Sequence, residues 1–146
     1  MSTYTQILYQ IVFSTKDRQQ TLTESGQERL YRYVWGILEK QNCHLYRING
    51  VEDHILTHLH PSVALAELVK DIKVASSGFI KQEIFFPLFT GWQDGYGGFT
   101  YSISAKDNLI EYIKNQKEHH KKVSFRDEYI SLLKEHGIEF DEKYLF

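Results

Sequence analysis

The order in which the hydrophobic period changes along this chain constrains the fold most. From Tyr4 to Ser14, Ile7, Tyr9, Ile11 and Phe13 alternate with Gln6, Leu8 and Gln10, so successive side chains fall on opposite faces of a first strand. Leu30, Tyr33, Val34, Ile37 and Leu38 then recur at helical spacing and predict a helix from about Glu24 to Gln41. Two further strand-like stretches follow, Cys43 to Val51 and His54 to His60, with Gly50 as a turn residue before Glu52-Asp53. Pro61-Ser62 ends the second of these, and Ser62 is a candidate cap for the next helix. Leu65, Leu68, Val69, Ile72, Ala75, Phe79 and Ile80 return to helical spacing, with Lys70, Lys73 and Lys81 on the polar side. A glycine-rich aromatic loop, Phe89 to Phe99, leads into a fourth strand over Phe99 to Ser104, and Gly95, Gly97 and Gly98 read as turn glycines.

The resulting order, β-α-β-β-α-β, is the split βαβ or ferredoxin-like pattern. It predicts an α+β fold with an antiparallel sheet and two helices on one face. C-terminal helices follow. Ser104-Ala105-Lys106-Asp107 reads as a capping box that opens a third helix. Ser124-Phe125-Arg126-Asp127 is a second box, opening a short helix through Tyr129, Leu132 and Leu133 that Gly137 can terminate. Phe140, Tyr144, Leu145 and Phe146 are too apolar to remain in water and are expected to dock on this subunit or on a partner. One domain is expected over residues 1–146, with a core over 1–104 and a helical extension over 105–146.

Charge and cysteine content narrow the function classes. The net charge of −2 argues against a protein that coats duplex DNA, which is normally basic, but leaves a short single-stranded or hairpin segment open as a partner. Residues 105–126 hold six Lys/Arg against three acids, and residues 127–146 hold six acids against two lysines. A basic helix of this kind is either a phosphate-binding face or an ordinary solvated one. The single cysteine, Cys43, excludes an internal disulfide and suits a reducing cytoplasm. No signal peptide is apparent, and no apolar run approaches the roughly 18 residues of a membrane span. A cytoplasmic protein is therefore expected.

Two groups of residues carry candidate chemistry. Tyr112 and Gln116 stand four apart in a helical stretch, which places their β-carbons about 6 Å from each other on one face. His58 and His60 share a face of the third strand with His54 and Leu56. Two imidazoles at that spacing can hold one divalent ion, and the amide oxygen of Gln116 is a candidate third donor for Mg²⁺ or Mn²⁺. A phenol of pKa ~10 is a poor nucleophile at neutral pH. A neighbouring cation favours the phenolate and stabilises charge growing on a phosphate under attack. Attack by Tyr112 on a phosphodiester would leave a covalent phosphotyrosine, whose bond energy is retained for rejoining without a nucleotide cofactor. Taken singly, each piece has an ordinary reading: a tyrosine in a helix packs, and a His-x-His pair lies in the core or on the surface. His119-His120 suit a helix end, with a phosphate contact as the sharper reading. Trp92 and Tyr96 are either packed or offered to bases as stacking surfaces.

Taken together, the blocks resemble the small single-tyrosine transposases of the HUH class, the insertion-sequence and REP-associated tyrosine transposases. The likeness runs through Tyr9-Gln10-Ile11-Val12-Phe13-Ser14-Thr15-Lys16, Asn49-Gly50-Val51-Glu52-Asp53-His54 and His60-Pro61-Ser62. It continues through Leu68-Val69-Lys70-Asp71-Ile72-Lys73, Trp92-Gln93-Asp94-Gly95-Tyr96-Gly97 and Tyr112-Ile113-Lys114-Asn115-Gln116. The resemblance implies a ferredoxin-like fold, a homodimer, and cleavage and rejoining of single-stranded DNA at hairpin-marked ends through a 5′-phosphotyrosine. It also implies a divalent metal, Mg or Mn, held by two histidines and a glutamine one helical turn after the tyrosine, roles that Tyr112 and Gln116 match. Lys16, Arg18, Lys73, Lys117, His120 and Lys121 are the candidate DNA contacts.

The histidine motif departs from the family pattern. His54 follows the acidic pair Glu52-Asp53 as the first histidine should, but Leu56 stands where the second is expected, as if two residues were missing before Thr57. The expected metal ligands are therefore His58, His60 and Gln116, with His54 as the alternative. The alternative function is a catalytically decayed relative that binds DNA hairpins as a dimer without cleavage.

Overall fold

The alternation of the first strand is realised over Leu8–Phe13 (β1), and the first helical stretch over Glu24–Lys40 (α1). His44–Asn49 (β2), Asp53–His58 (β3), Leu65–Glu83 (α2) and Gly97–Tyr101 (β4) complete the β-α-β-β-α-β unit. Lys106–Lys114 (α3), Gln116–His119 (α4) and Phe125–Glu135 (α5) follow. The computed structural model describes residues 2–18, 21–49, 53–119 and 123–145, with only the backbone of Arg18, Asp53, Lys117 and His119. The four strands form one antiparallel sheet in the order β2-β3-β1-β4. The α+β, ferredoxin-like arrangement read from the sequence is the one observed.

Because side chains alternate across a strand, β1 feeds two cores. Ile11 and Phe13 point to one face and pack with Ile55 from β3, Leu30, Val34 and Leu38 from α1, and Leu68, Val69, Ile72 and Ile80 from α2. Leu8 and Val12 point to the other. Leu8 packs with Leu56 and Ile113 of α3, and Val12 with Phe99 of β4 and the Phe125, Tyr129, Leu132 and Leu133 stripe of α5. The C-terminal helices thus cover the face that α1 and α2 leave open. Burial of one such aliphatic side chain contributes about 1.5–3 kcal/mol, which makes both faces strongly specified.

Several boundaries differ from those read in the sequence. β3 stops at His58 rather than His60, because Leu59 N turns to bond Ile7 O at 2.8 Å and the chain then bends at His60–Val63. β4 begins at Gly97, so Gly97 and Gly98 are strand residues rather than turn residues. A Cβ on Gly97 would come within 2.9 Å of both Phe99 and Tyr129, so the glycine there admits α5 to the sheet. Ser62 does not cap α2, whose N-cap is Ala64. Nor does Ser104 cap α3: it lies in a 3-10 turn over Ile103–Ala105 and its hydroxyl bonds Ser102 Oγ at 2.6 Å. Ser124 does cap α5, accepting from Asp127 N at 3.2 Å. Gly137, at φ +67, ends α5 with Gly137 N on Lys134 O and Ile138 N on Leu133 O, the paired bonds of a Schellman stop. Phe140 and Leu145 dock on the α5 cluster of this subunit, whereas Tyr144 is exposed. No described helix is long and apolar enough to cross a membrane.

Candidate functional site

Tyr112 reaches the sheet because its neighbour Ile113, fully buried against Leu8 and Leu56, pins α3 over β2 and β3. The helix breaks at Asn115 (φ −95, ψ 15), and Gln116 opens α4. The four-residue relation nonetheless survives: Gln116 Nε2 lies 3.5 Å from Tyr112 O, and the Gln116 amide acts to lower the pKa of the Tyr112 phenol. α5 approaches from the other side, and its buried stripe carries Glu128, one turn from Phe125 and beside Tyr129.

Four side chains meet between these helices and β3. The Tyr112 hydroxyl donates to Glu128 Oε2. Glu128 Oε1 lies 3.1 Å from Nε2 of His54, which the register sets opposite Val12 in the middle of the sheet. The His54 ring stands edge-on to Tyr112 and to Phe125, each at 6.4 Å between centroids. His54 and Gln116 are fully buried and Glu128 nearly so. The polar contacts run on along β1: His54 Nδ1 lies 3.2 Å from Gln10 Nε2, Tyr101 donates to Gln10 Oε1 at 2.9 Å, and His136 Nε2 lies 3.2 Å from the Tyr101 hydroxyl.

The electrostatics follow from burial. A carboxylate taken out of water is costly unless both oxygens are met, and here a phenol meets one and an imidazole the other. The Tyr112 phenol is pushed far up from its ordinary value, first by burial, then by the hydrogen bond and charge of Glu128, with the Gln116 amide opposing. Burial and then Glu135 push the Tyr101 phenol up to about 12. Without a further cation, Tyr112 therefore stays protonated at neutral pH. A cleft of about 350 Å³ opens beside the Tyr112 hydroxyl, lined also by Gln10, Tyr101, Leu109, Glu128 and Glu135. Its charged walls are carboxylates, so an anionic substrate needs a cation to approach.

The site residues predicted from the sequence separate into those brought together and those placed elsewhere. Tyr112, Gln116 and His54 form one cluster. His58 lies four residues from His54, about 13 Å along β3, and its Nδ1 accepts from Ile7 N at 3.2 Å. His60 stands beyond the strand end, its Nδ1 2.6 Å from Ser62 Oγ and 3.2 Å from Ser62 N. The shared strand face expected of His58 and His60 is thus not realised, because β3 ends between them.

Among the candidate DNA contacts, Lys16 is exposed in the turn after β1. Lys73 holds the glycine-rich loop, donating to Gln93 O at 2.8 Å and Gly95 O at 2.5 Å, with its ammonium 5.7 Å from the Phe13 ring. Burial lowers its pKa, with Asp94 opposing. The side chains of Arg18 and Lys117, and all of His120 and Lys121, lie outside the described residues. Trp92 is packed, edge-on to Phe13 and Phe89 and bonded to Ser76 Oγ at 3.0 Å, whereas Tyr96 is exposed.

Glu128, Gln10, Tyr101 and His136 escaped the sequence reading. Glu128 counted there as part of an acidic tail, although it falls on the apolar stripe of its helix between Phe125 and Leu132. A charge at such a position is a signal of a buried polar contact.

The residues at the cluster fit a hard divalent cation. Among the described residues, Gln116 Oε1 is a buried carbonyl oxygen with no hydrogen-bond partner. A buried acceptor of this kind ordinarily finds a donor or an ion. No three His, Cys, Asp or Glu side chains gather at one point among the described residues, so a site built from these residues would draw on the Gln116 amide.

Comparison with known proteins bears on the family and the fold. Residues 3–116 match the family model described as IS200-like transposase. Among solved structures, a candidate transposase from Deinococcus radiodurans R1 superposes with a TM-score of 0.62 at 22% identity, over 80% of this chain and 95% of that one. A REP-associated tyrosine transposase bound to a REP hairpin superposes with a TM-score of 0.58 at 14% identity, over 100% of this chain and 92% of that one. Among curated proteins none matches the chain. The family match covers well over half the sequence, and with it the tyrosine and the glutamine, so the chain belongs to the IS200-like transposases.

Proposed function

We propose that the chain is a metal-dependent single-strand DNA transposase that cleaves and rejoins hairpin-marked ends with Tyr112 as nucleophile. The observation that carries this reading is that the Tyr112 hydroxyl and His54 meet on the two oxygens of Glu128, with the buried Gln116 amide one helical turn after the tyrosine. The structure of a related transposase with a REP hairpin supports hairpin DNA as the partner.

His54 and Gln116 would hold Mg²⁺ or Mn²⁺, His54 by an imidazole nitrogen and Gln116 by the amide oxygen that lacks a hydrogen-bond partner. When bound, the ion polarises a phosphate oxygen and offsets the charge growing on phosphorus. Tyr112 Oη attacks the phosphorus, its proton passing to Glu128 Oε2, which already accepts it. The bond from phosphorus to the 3′-oxygen breaks, and that oxygen takes a proton from solvent water and leaves as a 3′-hydroxyl. The product is a 5′-phosphotyrosine, and attack by another 3′-hydroxyl reverses the chemistry to rejoin strands. The cleft beside Tyr112 has room for the nucleotide at the scissile bond.

The test is a labelled hairpin oligonucleotide from a panel of element ends, incubated with the protein and Mn²⁺ and run on a denaturing gel. A covalent adduct that EDTA prevents is the expected result; its absence on every substrate refutes the nuclease. One observation favours a second reading, a hairpin binder without catalysis: Leu56 fills the second-histidine position with a fully buried apolar side chain. That reading expects hairpin affinity indifferent to EDTA.

The protein is further proposed to act as a homodimer. β2 and β4 are the edges of the sheet, and β2 is only partly covered. Edge pairing satisfies such strands. Light scattering at micromolar concentration is expected to give twice the 17.2 kDa chain mass, and a monomer would contradict it.

A further inference from the structure

We infer that Glu128 is a third protein ligand of the metal, replacing the imidazole that β3 lacks, so that the site is His54–Gln116–Glu128. The inference rests on the metal-dependent reading above and extends it to a residue of α5.

Three observations converge on it. First, β3 has no second imidazole to offer at the cluster. Leu56, two residues from His54 on the same face, is fully buried with Leu8 and Ile113. Second, Glu128 Oε1 lies 3.1 Å from His54 Nε2. Two donors bound at a right angle to one Mg²⁺-sized ion at 2.0–2.1 Å stand about 3 Å apart, so the pair already has the separation of adjacent ligands. Third, Gln116 presents a buried amide oxygen without a hydrogen-bond partner one helical turn after Tyr112, and the Tyr112 hydroxyl bonds the other Glu128 oxygen.

The donor set also has a chemical consequence. One imidazole with two oxygens is a harder set than two imidazoles with one oxygen, and it shifts preference toward Mg²⁺ and Mn²⁺ and away from Zn²⁺. The carboxylate divides its work: Oε1 for the ion, Oε2 for the phenol of Tyr112. Behind His54, the Gln10 amide can turn its oxygen to the imidazole. It then accepts from Nδ1–H, so that the Nε2 lone pair can face the ion, while Tyr101 and His136 continue the chain. A strand that offers one imidazole at the cluster thus has a carboxylate from a separate helix at hand.

The experiment measures Mn²⁺ affinity of the full chain, from the electron paramagnetic resonance signal of unbound Mn²⁺, with thermal unfolding of each metal-free variant in parallel. Wild type is expected to bind one Mn²⁺. Glu128→Gln is nearly isosteric and keeps hydrogen-bonding capacity toward Tyr112 and His54, so its metal-free melting temperature is expected to equal or exceed wild type. Its Mn²⁺ affinity is expected to fall at least about tenfold. Glu128→Asp keeps the carboxylate one methylene short and is expected to fall between the two, and it serves if the amide variant does not fold. Wild-type affinity in Glu128→Gln together with lost affinity in His54→Ala would overturn the role of Glu128 and leave the metal reading standing. No Mn²⁺ uptake by wild type at millimolar concentration would overturn both.

Discussion

Tyr112→Phe is expected to abolish the covalent protein–DNA adduct, lowering its rate of formation on the order of 10⁴-fold or more, as loss of a nucleophile does in other enzymes. The substitution leaves the ring in place beside His54, and Ile113 still anchors α3 to Leu8 and Leu56. Only the hydroxyl is lost, and with it the donor to Glu128 Oε2. Hairpin binding, measured by gel shift in the presence of EDTA, is therefore expected to change no more than a few-fold. That contrast separates a chemical role from a structural one. An adduct forming at the wild-type rate in Tyr112→Phe would place the nucleophile elsewhere and remove the basis of the mechanism.

Phe13→Ala is expected to cost about 3–5 kcal/mol of folding stability, read as a fall in the urea midpoint at unchanged slope. Phe13 is fully buried in the α1/α2 core. Its ring meets Trp92 edge-on at 5.0 Å, and the Lys73 ammonium stands 5.7 Å from it. The same loop is tied to the sheet by Lys16 N on Gly91 O and Gln93 N on Ser14 O. Removing the ring leaves a cavity at the junction of β1, α2 and the glycine-rich loop. Domains of this size are stable by about 5–15 kcal/mol, so the loss is a large fraction of the total. A cost below about 1 kcal/mol would mean that the ring is not held there.

The two predictions concern opposite faces of one strand. Phe13 faces the helices that the ferredoxin-like pattern supplies, and Val12 and Gln10 face the helices added after it. Alternation along β1 was legible in the sequence, and so were both helical stripes, because each depends on residues a few positions apart. The caps were legible only in part. Ser124 and Gly137 act as read, since α5 begins and ends where its local chemistry directs. Ser62 and Ser104 do not cap, because the chain makes tight turns ahead of α2 and α3 and the helices start later.

Of the proposed site, the helical pair could be read locally, whereas the structure sets His58 and His60 away from Tyr112. Tyr112 and Gln116 needed only the helical period to be paired, and the pairing outlives the break at Asn115. Between His54 and the His58–His60 pair, spacing favoured the latter, because nothing local marks the end of β3 at His58. That end is set by Ile7, which bonds both His58 Nδ1 and Leu59 N from across the sheet. By itself the sequence determined the order of elements, which face each residue takes, and the family. Only the tertiary structure decided which histidine faces the tyrosine, and that Glu128 joins them. The reason is physical: periodicity is a property of neighbours along the chain, whereas strand register and the docking of α5 follow from burying Phe125, Tyr129 and Leu132 on Val12 and Phe99, contacts that span much of its length.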